Sequence, residues 1–534
     1  MLGSQVQSDL GLSEIGQAVP TCLAWGAAAF TNGLTDLSAD PKVLRRRQLP
    51  ILALKTNTAL LESAGDCLKS LEPHVESIDT VLQNEKEKDD LRNESIGQIL
   101  WSKDSPGAFL NTKSAVVNGL VTWKTLVLPG FAILTPLLGL LVPYFVLRYL
   151  QPSLAVADYL EQVKATLLKQ VTIPSFARAR GDNDVFGYIL QSCFISLTLV
   201  MFISGLWNQV STALFLRSIW RSLQESGASF KALVSTANRL LGLFESAPPK
   251  QKAALRSLAA EGRKLITVCE AFESAADISA FGAVWNNGAP LHALREWIGR
   301  VDVYVALARL PGICLPKYLG CDSSSTVPQL TLRGVIHPHV QSCISNNFDS
   351  SRPHVILTGP NRGGKSTFCK SVGLAVITAQ TWGFAWASAA TLTPFAAIHT
   401  ALETQGRLGH ASTFEAEIAF AKTVLADPAV PVFVMMDEIF HSTNAVDGVE
   451  ASRAFMNKLY SKQGVVSLIS THYRELTKLF ESQASLYRLA CAENADGSLV
   501  YKYCVEDGVS EKSSVSEILV EHGLLPTSGR SSSA

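Results

Sequence analysis

A glycine-rich segment followed by a lysine and two hydroxyl residues carries the strongest chemical signal in the sequence. It spans residues 359–367, GPNRGGKST, and fits the pattern G-x-x-x-x-G-K-[ST]. In such segments the glycines let backbone N–H groups surround phosphate oxygens, and the following helix contributes its positive end. Lys365 is expected to contact the β- and γ-phosphates, and the Ser366 hydroxyl to bind Mg²⁺. We therefore predict ATP and Mg²⁺ as cofactors, with nine nucleotide-binding residues: Gly359, Pro360, Asn361, Arg362, Gly363, Gly364, Lys365, Ser366 and Thr367.

Two further apolar runs end in residues suited to phosphate chemistry. Residues 432–438 read VFVMMDE, so Asp437 is predicted to hold Mg²⁺ and Glu438 to orient or activate the attacking water. Residues 465–470 form a third strand pattern, which His472 follows closely. A lone histidine there is more often structural. Since two phosphate motifs precede it in the appropriate order, we predict Glu438 and His472 as the catalytic residues.

The elements that must position these side chains alternate between strands and helices. A strand pattern at 355–358 precedes the glycine-rich segment, and an apolar helix pattern at 368–379 follows it. Such alternation continues from residue 311 to about residue 526, which is typical of a mostly parallel sheet covered by helices. The sequence therefore predicts an α/β P-loop NTPase fold of the ABC-like type over 311–526, followed by a disordered serine-rich tail at 527–534.

Charge and cysteine content narrow the possible partners. Lys and Arg number 46, as do Asp and Glu, so the chain as a whole has no electrostatic bias toward nucleic acid. The ten cysteines are scattered without a C-x-x-C pair, which disfavours zinc and predicts a reducing compartment. The N-terminus lacks the order of basic, apolar and small residues that marks a signal peptide.

The segments before the predicted sheet read as helices. Apolar residues recur three and four apart over 53–82, and Pro73 interrupts them, which predicts a kink or a helix pair. An ordinary core-facing helix is favoured there over a dimeric coiled coil. Residues 213–310 are helical by the same criterion. We predict an all-α core or lever region in two parts, 1–124 and 217–310.

Two uncharged apolar runs separate those two parts. Residues 125–147 are long enough to cross roughly 30 Å of hydrocarbon as a helix, and the second run is most apolar at 188–207. Pro129, Pro136 and Pro143 lie in the first run, and kinks of this kind are tolerated in a bilayer. We predict a membrane hairpin over 125–216. The alternative is a pair of buried core helices.

These predictions determine the expected location. The need for ATP places the ATPase domain and both termini of a two-span, multi-pass membrane protein in the cytosol. The loop 148–187 would then lie outside or in a lumen. Were the two runs core helices, the protein would be soluble in the cytosol or nucleus.

Several C-terminal segments share their motifs with one family. They are GPNRGGKST at 359–367, STFEAE at 412–417, DEIFHSTNAVDG at 437–448 and STHYREL at 470–476. Gly334 with His337 and Pro338 precede them, and Gly508, Ser514 and GLLP at 523–526 follow. In order and spacing these segments resemble the ATPase domain of the MutS family, over about residues 297–526. Arg362 stands where that family usually has Met.

The resemblance implies a homodimer with two composite ATP sites, closed by ATP. Each nucleotide would lie between one subunit's P-loop and the signature segment of the other, so that Ser412 and Thr413 reach the partner's γ-phosphate. Residues 40–48, DPKVLRRRQ, are similar to the start of the family's core-lever domain.

Departures from the family bear on function. The region before the lever is too short for a mismatch-reading domain, and no F-x-E reader motif is found. The two apolar runs replace the family's DNA clamp. Residues 343–346 stand where the family has F-I-x-N, so no aromatic residue that could stack on adenine is evident there. Residues 440–442 replace the glycine-rich stretch that the family usually has after the acidic pair.

Three hypotheses follow. The first is a membrane-anchored MutS-like ATPase whose dimer closure moves transmembrane helices. The second is a DNA-binding mismatch-repair or recombination ATPase with buried apolar runs, although neither charge nor a reader motif supports DNA. The third is a nucleotide-gated scaffold with little turnover.

Overall fold

The computed structural model describes residues 2–87, 90–170, 185–273, 275–320, 327–402, 413–438, 440–494 and 499–512, together with 518, 519, 522 and 524. The chain forms two compact units. Unit 1 comprises Met1–Glu72, Thr236–Lys264 and Arg295–Ala534, and unit 2 comprises Pro73–Ser235 and Leu265–Leu294. The predicted domain boundaries stay a prediction.

Helices make up the described chain before residue 310, as the sequence predicted. They are α1 (Ser4–Asp9), α2 (Leu12–Ile15), α3 (Ala24–Gly33), α4 (Pro41–Lys55), α5 (Thr58–Lys69), α6 (Val75–Glu87), α7 (Asp90–Gly97), α8 (Ser114–Thr122), α9 (Leu128–Leu150), α10 (Val156–Gln170), α11 (Val185–Ser246), α12 (Pro249–Glu273), α13 (Asp277–Asn286) and α14 (Ala289–Arg309).

Local sequence accounts for several of these helix ends. Asp40 caps α4 by accepting a hydrogen bond from Lys42 N at 2.8 Å, and Asn57 caps α5 through Leu60 N at 3.1 Å. The 3₁₀ turn Glu72–His74 separates α5 from α6, so the interruption predicted at Pro73 is confirmed. Leu68 and Ile78 of the predicted apolar stripe are fully buried, as in ordinary core-facing helices.

The described residues of the C-terminal part form two sheets and four helices. The strands are β1 (Lys317–Tyr318), β2 (Leu330–Val335), β3 (Asn346–Asp349), β4 (His354–Thr358), β5 (Ala389–Leu392), β6 (Ala397–Ala401), β7 (Val432–Met436), β8 (Val465–Ser470), β9 (Ala484–Glu493) and β10 (Leu499–Asp507). The helices are α15 (Lys365–Thr381), α16 (Thr413–Ala426), α17 (Ala445–Ser461) and α18 (Arg474–Leu479).

The larger sheet has the order β10-β9-β4-β8-β7-β6 and is parallel except for β10. Strands β4, β7 and β8 are buried along their whole length, because helices or the second sheet cover both faces. The smaller sheet has the order β1-β5-β2-β3. A mixed α/β region with a mostly parallel sheet is therefore confirmed.

The N-terminal helix α1 belongs to the same unit as this sheet and covers its β6 edge. Asp9, which is fully buried, accepts hydrogen bonds from Thr400 Oγ1 at 2.7 Å and from Leu402 N at 3.0 Å. Gln5 Nε2 donates to the other Asp9 oxygen at 2.8 Å. These bonds compensate the cost of burying the carboxylate. They also fix the end of β6, just before the segment that leads to α16.

The apolar runs form helices whose side chains are largely exposed. Two described segments, Ser114–Pro136 and Ser196–Ser246, are long and apolar enough to cross a membrane, and in each the most apolar 18-residue window is only 11% buried. The π-helical turn Trp123–Val127 joins α8 to α9, and α9 continues through Pro136 and Pro143. Whether these helices span a membrane stays a prediction.

The second run lies in one continuous helix of 62 residues, α11. The sequence divided this stretch into an apolar span and a separate helical region from residue 217. No proline occurs between residues 185 and 246, so nothing in the chain ends the helix at that division.

Candidate nucleotide-binding site

The glycine-rich segment forms the turn between β4 and α15. Gly364 precedes the helix with a φ of 94°, which is the left-handed region where glycine is favoured. A Cβ on Gly364 would lie 3.3 Å from Tyr503 Cδ1, so a side chain would also be crowded there. The backbone turn thus depends on glycine at this position. Helix α15 starts at Lys365, directly after this turn, as the sequence predicted.

Lys365 is folded into this turn and is nearly buried. Its Nζ donates to the carbonyl oxygen of Gly359 at 3.1 Å and lies 3.4 Å from that of Pro360. Burial lowers the pKa of Lys365, and the nearby carboxylates of Glu438 and Asp437 oppose that shift. The ammonium group is therefore held in the turn, in the position expected for contact with a phosphate.

The two residues predicted to hold Mg²⁺ are hydrogen-bonded to each other. Ser366 Oγ donates to one carboxylate oxygen of Asp437, and Ser470 Oγ donates to the other. Ser470 Oγ also accepts from Glu438 N at 3.0 Å. Among the described residues no group of three or more His, Cys, Asp or Glu could hold a metal ion. One carboxylate and one hydroxyl fit Mg²⁺, which usually completes its octahedron with water and phosphate oxygens.

The two predicted catalytic residues are in direct contact. His472 Nε2 lies 2.7 Å from Glu438 Oε1, and Lys365 Nζ lies 3.8 Å from the same oxygen. The hydrogen bond from His472 lowers the pKa of Glu438, the charges of His472 and Lys365 add to this effect, and burial opposes it. Glu438 is therefore ionised at neutral pH. Its φ of 54° is uncommon for a residue with a side chain and marks local strain.

A cavity of about 540 Å³ opens beside the turn, a size usual for small-molecule sites. Besides the turn and Glu438, it is lined by Cys343, Ile344, Asn346 and Tyr503. Asn346 Nδ2 donates to the Tyr503 carbonyl oxygen at 2.9 Å, and Asn346 Oδ1 accepts from Val505 N at 2.7 Å. These bonds hold Tyr503 in an irregular part of β10, where its ring faces the turn.

Tyr503 was missed by sequence reasoning, which looked for an aromatic only at residues 343–346. That segment contributes Asn346 instead, and the aromatic comes from β10. The signal available in the sequence was the position of Tyr503 shortly before Gly508 in the closing motif.

The structure brings together most of the predicted site residues. Residues 359–367, Asp437, Glu438 and His472 converge at the carboxyl ends of β4, β7 and β8. Thr413 begins α16 and is not among the residues lining the cavity. Ser412, Ser514, Gly523, Leu525, Pro526 and the tail at 527–534 lie outside the described residues.

Fold and site define an α/β domain in which a glycine-rich turn follows β4 and an Asp-Glu pair follows β7, with the parallel strand β8 between them. Residues 355–526 match the family model described as MutS domain V. Residues 355–526 thus form a MutS-family domain.

Curated relatives agree with this assignment. The DNA mismatch repair protein MutS of Shouchella clausii is 31% identical over 194 residues, 34% of this chain and 22% of that protein. The DNA mismatch repair protein MutS of Thermus aquaticus is 31% identical over 242 residues, 43% of this chain and 29% of that protein. The matches thus span less than a third of the length of these relatives.

Proposed function

We propose that this chain is a membrane-anchored, MutS-like P-loop ATPase, which couples Mg²⁺-dependent ATP binding and hydrolysis to dimer closure and lever movement. One observation carries the ATPase part. Five polar residues from three segments of the chain meet beside a cavity large enough for a nucleotide. Ser366 is hydrogen-bonded to Asp437, His472 is hydrogen-bonded to Glu438, and Lys365 forms an ion pair with Glu438.

Each residue has a defined role in this proposal. The backbone N–H groups of the turn and the Lys365 ammonium bind the phosphates. Ser366 and Asp437 hold Mg²⁺, which when bound offsets the charge of the β- and γ-phosphates. Glu438, whose pKa is lowered further by the hydrogen bond from His472, orients the attacking water and accepts its proton. His472 in turn fixes the direction of the Glu438 carboxylate and is close enough to Lys365 to respond to the γ-phosphate.

Dimer closure extends the proposal to a second subunit. The resemblance to the MutS family implies that Ser412 and Thr413 contact the nucleotide of the partner. Thr413 begins α16 and does not line the cavity of its own subunit, which is consistent with a role in the partner's site.

Membrane anchoring rests on the exposed apolar helices of unit 2. Phe131 is 55% exposed, Leu134 50% and Phe145 62% in α9, while Val200 is 61% and Trp207 73% exposed in α11. Exposed apolar surface on this scale requires a cover, and two spans of sufficient length point to lipid. The requirement for ATP places the nucleotide site in the cytosol.

Hydrolysis by the full-length protein, purified in detergent, tests the ATPase part directly. We expect phosphate release from ATP that depends on Mg²⁺ and stops when EDTA is added in excess, because Ser366 and Asp437 are then without the ion. Excess Mg²⁺ should restore the activity. ATP binding without hydrolysis under these conditions would leave the nucleotide-gated scaffold as the function. Failure to bind ATP at all would exclude both.

Base recognition by Tyr503 is a second expected result. Replacing Tyr503 by Ala should weaken ATP binding about tenfold, since stacking of one base on an aromatic ring contributes roughly 1–3 kcal/mol. Tyr503→Phe should bind ATP normally, because the ring is kept. The readout is equilibrium binding of a fluorescent ATP analogue.

Inorganic tripolyphosphate, which lacks a base, provides the matched comparison for Tyr503. Its competition with the analogue should be equal in the wild type and in Tyr503→Ala. Equal loss of tripolyphosphate binding would instead mean that Tyr503 supports the fold of the turn. Val500→Ala, an exposed position in the same strand, is the control variant.

The name of the relatives favours a second candidate, a DNA-binding mismatch-repair or recombination ATPase. That candidate predicts salt-dependent binding to duplex or branched DNA. In that case another protein surface would have to cover the exposed apolar side chains of α9 and α11. Binding of the detergent-purified protein to duplex DNA over a range of salt concentrations distinguishes it from the membrane-anchored form.

A further inference from the structure

Residues 440–442 lie close to Glu438 in the chain, and the function proposed so far does not use them. Phe440 has a φ of 50° although it carries a large side chain, and only 2% of it is exposed. A left-handed backbone at a bulky residue persists only where the surroundings hold it. The contacts that hold Phe440 therefore also constrain Glu438, two residues earlier in the chain.

Aromatic packing provides the first of these contacts. The Phe440 ring meets Phe414 of α16 at a centroid distance of 6.1 Å and Phe455 of α17 at 6.0 Å, both nearly edge to face. Tyr473 OH donates to the Phe440 carbonyl oxygen at 3.1 Å. The segment is thus packed between two helices and joined to the strand end that carries His472.

A polar link to the same helix α16 lies beside the aromatic one. Ser442 Oγ donates to Glu417 Oε2 at 2.7 Å, and His441 Nδ1 lies 3.3 Å from Glu417 Oε1. His441 Nδ1 also donates to the Glu438 carbonyl oxygen at 2.8 Å. The Glu417 side chain is only 13% exposed, so little solvent screens these contacts. Helix α16 is therefore connected to the backbone of Glu438 through His441 and Ser442.

From these contacts we infer that Glu417 and Phe440 are positioning residues, which make the placement of the Glu438 carboxylate depend on the position of α16. This inference rests on the proposed function, because it assigns to Glu438 the activation of water. Helix α16 begins at Thr413. A movement of α16 when Thr413 meets the partner's nucleotide would therefore change the geometry of Glu438 in its own subunit.

Substitutions within the polar link test the inference. Ser442→Ala removes the hydroxyl of the polar link, and Glu417→Gln removes the charge that strengthens its hydrogen bonds. Each should lower kcat for ATP hydrolysis about tenfold. KM and the affinity for a non-hydrolysable ATP analogue should stay within about twofold, since neither residue lines the cavity. Ser442→Thr, which keeps the hydroxyl, should restore most of kcat.

A double-mutant cycle shows whether the two residues act through one contact. The double variant Glu417→Gln with Ser442→Ala should have about the kcat of either single variant, because residues in contact are not additive. Effects that multiply would overturn the inference, as would wild-type kcat in both single variants. Parallel losses of kcat, analogue binding and thermal stability would also overturn it, in favour of a purely structural role.

The chain offers a matched control in a third histidine–carboxylate pair. His399 Nε2 lies 2.7 Å from Asp427 Oδ2, and Asp427 follows the other end of α16. His399→Ala should leave kcat unchanged. If Glu417→Gln does not fold, the comparison of Ser442→Ala with Ser442→Thr still decides the question.

Failure of the proposed function is distinguishable from failure of this inference. A wild-type protein that does not hydrolyse ATP, or a Glu438→Gln variant with undiminished kcat, would remove the function and the inference together. Loss of hydrolysis in Glu438→Gln with normal kcat in the Glu417 and Ser442 variants would remove the inference alone.

Discussion

Replacing Glu438 by Gln is expected to lower kcat for ATP hydrolysis about 10²–10⁴-fold, the range typical of loss of a general base. Glutamine has the same size and can still accept the hydrogen bond that His472 gives at 2.7 Å, so the site should keep its shape. It cannot accept the proton of the attacking water. Since the change removes a negative charge near the phosphates, ATP affinity should be equal to or higher than that of the wild type.

Single-turnover hydrolysis and equilibrium binding of ATP together check this expectation. Glu506→Gln is the control, because Glu506 is an exposed partner of Arg488 on the β9–β10 hairpin and such surface pairs contribute little. If Glu438→Gln hydrolysed ATP at the wild-type rate, another group would have to activate the water. If it lost ATP binding together with turnover, Glu438 would instead be needed to hold Lys365, 3.8 Å away.

Placing charges on the exposed apolar helices is expected to have the second large effect. The wild type should remain in carbonate-washed membranes, whereas the double variant Leu134→Arg with Val200→Arg should appear largely in the soluble or aggregated fraction. Each arginine at the centre of a span costs roughly 2.5–3.5 kcal/mol on insertion scales. Two such costs change the membrane-to-water distribution about 10⁴-fold or more.

The control for this experiment is Val446→Arg, which adds a charge at a residue of α17 that is 79% exposed. It should fractionate as the wild type does. Duplex-DNA binding of each fraction is measured alongside. A wild-type protein that is soluble without detergent and binds DNA in a salt-dependent way would exclude the membrane anchor and favour the second candidate.

Short-range patterns were sufficient to predict the centre of the candidate site. The turn at 359–367 was recognisable because strand, glycine-rich segment and helix are consecutive in the chain. Asp437 and His472 were recognisable because each closely follows a strand-like, mostly apolar run. Such runs become buried parallel strands whose carboxyl ends meet at one edge.

What the sequence did not predict depends on contacts between distant parts of the chain. Asn346 holds Tyr503 across a sequence separation of 157 residues, and the irregular pairing of β9 with β10 decides which way the ring points. The sequence did not indicate a left-handed backbone at Phe440, since bulky residues rarely adopt that conformation. Only the surrounding helices make that conformation possible.

Because α1 covers β6, removing the N-terminal residues to make a shorter fragment should have a practical consequence. Strand β6 ends the larger sheet, and an uncovered end strand offers unpaired backbone groups on which strands of other molecules can add. A fragment starting at residue 311 would lack Asp9 and the other residues of α1. It would present this open edge, and it would lack Val6 and Leu10, which belong to the same buried core as Leu402. We therefore expect such a fragment to self-associate more readily than the whole chain.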